Sequence, residues 1–134
     1  MNSEKKPRIL IVDDDRDFVA ATREVLEAGG YEVVEAYDGA QGLERARQTQ
    51  PDLMLLDVMM ATETEGIELS RKFRETPGLE RIPVILLTGI RKAMKLPFGL
   101  APDEAWLPVK AVLEKPVPPP LLLREVAKHL GASS

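Results

Sequence analysis

The chain has 134 residues, 44% of them hydrophobic and 30% charged, with a formal net charge of -4; this is ordinary globular composition, long enough to bury a core without staples. It has no cysteine and a single histidine, His129, which excludes disulfides, thiolate nucleophiles and any multi-histidine metal centre. Met1 to Pro7 is polar, no apolar run approaches a membrane span, and no basic stripe suits nucleic acid, so a soluble, cytoplasmic chain without direct nucleic acid binding or membrane insertion is expected.

In chain order, short aliphatic runs alternate with amphipathic stretches. A strand is predicted at Arg8–Val12, a helix at Phe18–Ala28, a strand at Glu32–Ala36, a helix at Ala40–Gln48 and a strand at Leu53–Leu56. A helix over Gly66–Arg74, strands at Val84–Leu87 and Val109–Leu113, and a final helix over Leu121–Leu130 follow. Strands this uniformly apolar suit a parallel sheet covered on both faces, because neither face can be left to water. Helical spacing supplies the covers: Phe18, Ala21 and Val25 share one face, as do Ala40, Leu43 and Ala46, as do Leu69 and Phe73, and as do Leu122, Val126 and Leu130. Gly29-Gly30, Asp38-Gly39, Pro51-Asp52 and Ile82-Pro83 punctuate the elements where the pattern changes.

The first strand runs straight into Asp13-Asp14-Asp15, with Asp17 close behind, and the third ends at Asp57. Asp15 and Asp17 stand where a first helical turn begins and are read as capping and dipole-complementing acids. Ligands of an open parallel sheet gather beyond the carboxyl ends of its strands, so Asp13, Asp14 and Asp57 should meet there if strands one and three are neighbours. Two such charges about 4 Å apart repel by about 4 kcal/mol at a surface-like dielectric. A hard divalent cation such as Mg²⁺ cancels that repulsion and accepts a few carboxylates, waters and a phosphate. Strand four adds the hydroxyl of Thr88 and strand five the ammonium of Lys115. Acids for a metal, a central aspartate, a hydroxyl donor and a cation are the parts of phosphoryl transfer to a carboxylate. Taken singly, each residue has a plainer explanation as a turn, a cap or a solvated charge; the constellation carries the inference.

The stretches ILIVDDD, PDLMLLDVMM, GIELSRKFR, IPVILLTG and LEKP, in this order, resemble the receiver domain of two-component response regulators. The resemblance covers nearly the whole chain and implies a flavodoxin-like (βα)5 α/β fold, a doubly wound parallel sheet of strand order 2-1-3-4-5. It implies one receiver domain over residues 1–134, with residues 1–6 and 131–134 as flexible tails. Asp57 would accept a phosphoryl group from a sensor histidine kinase or phosphotransfer protein, with output through an unknown downstream protein target. Asp13 and Asp14 look like the acidic pair for Mg²⁺, the backbone carbonyl of Met59 like a further ligand, and Thr88 and Lys115 like the family's hydroxyl and lysine. The Lys115-Pro116 bond is expected cis, as in the family. Such a protein is not a turnover enzyme beyond self-phosphorylation from a donor and autodephosphorylation.

The chain departs from the family pattern in two places. Ala61 stands where receivers carry a proline, and MMATETEG delays Gly66 by one position, so that Glu63 or Glu65 would add negative charge near the donor. Between Thr88 and Lys115, Pro97, Pro102 and Pro108 each remove a backbone donor. The fourth helix is therefore expected to be short, irregular or missing, with at most a turn at Asp103–Leu107. Val112 replaces the family's switching aromatic, which leaves the proline-rich loop as the candidate two-state element. His129 is expected to face solvent or cap a carbonyl, Trp106 to pack, and the methionines to fill core. Leu121 and Leu123 flank the final helix's buried stripe and are read as packing, with a partner surface or a homodimer as the sharper reading. Two other functions fit parts of the pattern: a receiver-shaped docking module indifferent to phosphorylation, and a haloacid-dehalogenase-like phosphatase using Asp13.

Overall fold

The computed structural model describes residues 6–58, 60, 65–89 and 109–131. Its elements are β1 (Arg8–Val12), α1 (Arg16–Ala28), β2 (Glu32–Ala36), α2 (Gly39–Thr49), β3 (Leu53–Asp57), α3 (Glu65–Glu75), β4 (Val84–Gly89), β5 (Ala111–Lys115) and a C-terminal helix (Pro119–Gly131). The strands form one parallel five-stranded sheet in the order β2-β1-β3-β4-β5, the order expected from the sequence. The expected fourth-helix irregularity, the Asp103–Leu107 turn and the packing of Trp106 fall outside the described residues.

Strand periodicity sorts the sheet into two cores. Leu10, Val12, Met54, Leu56 and Leu86 face α2 and α3, where Ala46, Ile67, Leu69 and Phe73 meet them. Ile9, Ile11, Leu55, Ile85 and Leu87 face α1 and the C-terminal helix, where Val19, Leu26, Leu122 and Val126 meet them. Register carries this through the sheet: Leu10 lies opposite Val34 on one side and Met54 on the other. The continuous apolar runs therefore cover both faces, as parallel pairing demands.

Helix starts obey the acids read from the sequence. Asp15 caps α1 by accepting from the Phe18 amide at 3.1 Å, and Asp38 caps α2 by accepting from the Gln41 amide at 2.8 Å. Asp17 lies in the first turn of α1, where it complements the helix dipole. The Lys115-Pro116 bond is cis. Among the described residues, no helix is long and apolar enough to cross a membrane.

Four expectations need correction. The buried face of α1 is Val19, Thr22 and Leu26; Ala21 is exposed and Phe18 and Val25 are half-buried. Adjacent helical faces are both apolar here, and the position of the C-terminal helix decides between them. On α2, Ala40 is exposed, while Gly42 and Ala46 are the buried positions. β5 begins and ends two residues later than its apolar run, because pairing with β4 sets Thr88 opposite Glu114 and Gly89 opposite Lys115; Val109 is buried without being strand. His129 neither faces solvent nor caps a carbonyl: its side chain is 13% exposed, with Nε2 3.5 Å from Glu125 Oε1 one turn earlier. Leu123 packs in the core shared by α1 and the C-terminal helix, which supports the packing reading for that residue.

On the outer edge, the Tyr37 hydroxyl donates to Glu35 Oε1 at 2.7 Å and Arg23 pairs with the same carboxylate at 2.9 Å. The tyrosine's hydrogen bond, followed by that of Arg23, holds the Glu35 carboxyl below its ordinary value of 4.5 against the opposing effect of burial. A depressed carboxyl contributes stability that is present above its unfolded value and lost as pH falls through the lower folded value. Tyr37→Phe is expected to move the Glu35 titration midpoint upward and to narrow that acid-side loss. A ¹³C carboxyl titration checks it; an unmoved midpoint would reject the assignment of Tyr37 as the main cause.

Candidate functional site

The carboxyl edge of the sheet gathers acids because β1 and β3 are hydrogen-bonded neighbours. Asp13 follows β1 directly, its amide donating to the Ala36 carbonyl at 3.1 Å, which continues the ladder one residue past the strand. Asp57 closes β3, opposite Leu87 of β4. Asp13 and Asp57 are buried, at 0% and 2% exposure, and Asp14 is exposed. One oxygen from each of Asp13, Asp14 and Asp57 lies within 4.8 Å of the others. Burial of two like charges at this separation opposes folding.

Lys115 partly offsets it. From the end of β5 its Nζ donates to Asp13 Oδ2 at 2.7 Å and lies 3.4 Å from Asp57 Oδ1. Asp13 spends its other oxygen, Oδ1, on the Asp15 amide at 2.9 Å. The same ammonium stands 4.3 Å over the ring of Phe18. Thr88 is buried at 1% exposure on β4; its Oγ1 donates to the neighbouring Gly89 carbonyl at 3.3 Å, a contact weak enough to surrender to an incoming acceptor.

Behind Asp57 the backbone is wedged by α3. The Gly66 amide donates to the Val58 carbonyl at 2.8 Å, and a Cβ on Gly66 would overlap the Asp57 carbonyl oxygen and stand 2.7 Å from Val58 Cα. Glu65 Oε2 accepts from the Gly39 amide at 2.8 Å, at the positive end of α2. Met59 and Glu63, named from the sequence, lie outside the described residues.

The structure therefore brings together Asp13, Asp14, Asp57 and Lys115, and sets Thr88 at the same edge. Sequence reasoning gave Phe18 only a packing role; its place beside Lys115 depends on a contact between residues far apart in the chain. The donor set consists of carboxylate oxygens without nitrogen or sulfur, and its crowded negative charge exceeds what one lysine neutralises. Such a donor set could bind a metal ion.

Comparison with known proteins agrees with this geometry. The family model described as response regulator receiver domain matches residues 9–127. The chain is 29% identical to the polar-differentiation response regulator DivK of Brucella anthropi over 126 residues, spanning 92% of this chain and 95% of that protein. Among solved structures, it is similar to a response regulator from Chloroflexus aurantiacus, with 27% identity, a TM-score of 0.80 and coverage of 95% of this chain and 99% of that one. It is also similar to a sensor protein from Polaromonas sp. JS666, with 25% identity, a TM-score of 0.83 and coverage of 97% and 100%.

Proposed function

The chain belongs to the response regulator receiver domain family, and from that premise we propose that Asp57 is its phosphoacceptor. Receivers are signalling modules that accept a phosphoryl group and pass the signal to partner proteins rather than turn over a substrate. The single observation that carries the assignment is the cluster at the carboxyl edge, where Asp57 shares one crowded pocket with Asp13, Asp14 and the Lys115 ammonium.

In this reading a histidine kinase or phosphotransfer protein presents a phosphohistidine. A carboxylate oxygen of Asp57 attacks phosphorus in line, an O–P bond forms, and the P–N bond breaks with its electron pair returning to the imidazole. The Lys115 ammonium neutralises charge on the phosphoryl oxygens, and the Thr88 hydroxyl turns from Gly89 to donate to one of them. Asp13, Asp14 and Asp57, with the carbonyl of Met59, would hold Mg²⁺, which when bound supplies further neutralisation of the phosphoryl charge. Output passes by protein–protein contact, with a homodimer among the candidate assemblies, in the cytoplasm.

Purified protein incubated with acetyl phosphate and Mg²⁺ should acquire one acid-stable, base-labile phosphoryl adduct that maps to Asp57 by mass spectrometry. Asp57→Asn should abolish it. Undiminished adduct formation in that variant would reject the site, and failure of the wild-type protein to form any would favour a docking module that ignores phosphorylation. The phosphatase alternative loses its ground, because the family match runs through the whole pocket.

A further inference from the structure

Resting on that reading of Asp57, we propose that Phe18 is a positioning residue for Lys115, holding its ammonium at the pocket with the face of the ring. Nζ stands 4.3 Å from the ring centroid, well inside the roughly 6 Å over which an aromatic quadrupole attracts a cation. The other two contacts of Nζ are Asp13 Oδ2 at 2.7 Å and Asp57 Oδ1 at 3.4 Å. Both carboxylates belong to the cluster suited to a cation, and Asp57 is also the residue that takes the phosphoryl group. A lysine held only by those acids would have to exchange partners as metal engages Asp13 and the phosphoryl group arrives at Asp57. The ring competes for neither metal nor phosphate, so its hold on the ammonium persists through the reaction.

The protein fixes the ring as well as the lysine. Asp13 Oδ1 accepts from the Asp15 amide, and Asp15 Oδ1 accepts from the Phe18 amide, so two short bonds tie the ring's backbone to the pocket. The ring is half-buried and lines an apolar groove with Val25, Pro116, Val117 and Leu122. Pro116 follows Lys115 directly, so one groove braces both partners. Partial desolvation strengthens a cation–π contact over an exposed one.

The test compares Phe18→Leu, which keeps apolar bulk in the groove but removes the π face, with Phe18→Trp, which keeps the face. At saturating Mg²⁺, the initial rate of adduct formation from acetyl phosphate should fall about three- to fivefold in the leucine variant and return to within about twofold of wild type in the tryptophan variant. In metal-free protein, the Lys115 ε-methylene protons should be shifted upfield by the ring in wild type and lose that shift in Phe18→Leu. A leucine variant that reacts at the wild-type rate, equal slowing in both variants, or an ε-methylene signal unmoved by the substitution would each overturn the proposal. A wild-type protein that forms no adduct at Asp57 would instead overturn the reading beneath it, and the proton shift, measured without a phosphoryl donor, tells the two failures apart.

Discussion

Gly66→Ala is expected to lower stability by about 3 kcal/mol or more, at the upper end of what overpacking costs, and to depress the melting temperature by on the order of 10 °C. The added methyl group has no flexible neighbour to displace. It would overlap the Asp57 carbonyl oxygen and crowd Asp57 C and Val58 Cα, each at 2.7 Å. The only relief is to move the first turn of α3 away from the end of β3, which breaks the Gly66 to Val58 hydrogen bond and opens the seam between Ile67 and the core. Because the atoms struck belong to Asp57 itself, the same displacement should disturb the phosphoacceptor. Thermal unfolding of the variant checks the first effect; a midpoint within 2 °C of wild type would mean the backbone at β3 yields far more readily than packed sheet should.

Asp13→Asn should reverse sign with metal. The Asp13 and Asp57 oxygens lie within 4.8 Å of one another, where two buried like charges repel on the order of 3 to 4 kcal/mol at an effective dielectric of 20. Against that, Asp13 has Lys115 at 2.7 Å. One attraction faces two repulsions, from Asp57 and Asp14, together with the desolvation of a carboxylate at 0% exposure. Asparagine keeps an oxygen for the Asp15 amide and removes the charge. Metal-free Asp13→Asn is therefore expected to be more stable than wild type by about 1 kcal/mol, or roughly 4 °C. Adding Mg²⁺ should invert the order. A ligand that binds only the folded state at a hundredfold over its Kd stabilises by about 2.7 kcal/mol, and the wild type should gain most of that while the variant gains little. Melting curves with Mg²⁺ and with EDTA measure both halves. Equal Mg²⁺ gains in the two proteins would remove Asp13 from the metal site.

Much of the site was legible in one dimension. A strand that ends in consecutive acids, a second strand that ends in Asp57, and a hydroxyl and an ammonium after two more define the pocket once the sheet is parallel, because every strand then delivers its last residue to the same edge. The caps were legible for a similar reason: Asp15 and Asp38 act within three residues of their own positions. What escaped were choices between neighbouring options of equal local merit. Phe18 and Val19 are both apolar; Val19 is buried at 1% exposure and Phe18 stands beside the lysine. Glu65 reads as a surface charge until α2 brings the Gly39 amide to it. His129 reads as solvated until its helix packs and leaves its side chain only 13% exposed.

The amino-acid order alone determined the strand and helix alternation, the strand order through its family pattern, and the identity of the acids, hydroxyl and lysine, since these depend on residue type and short-range spacing. Only the tertiary structure decided which helical faces are buried, where β5 pairs, and that Lys115 reaches Asp13 across 102 positions of sequence with the Phe18 ring against it. The reason is that hydrophobic periodicity is a local property and contact is not. A chain records which of its residues prefer burial, but which of two adjacent candidates is covered depends on an element that arrives from elsewhere in the fold.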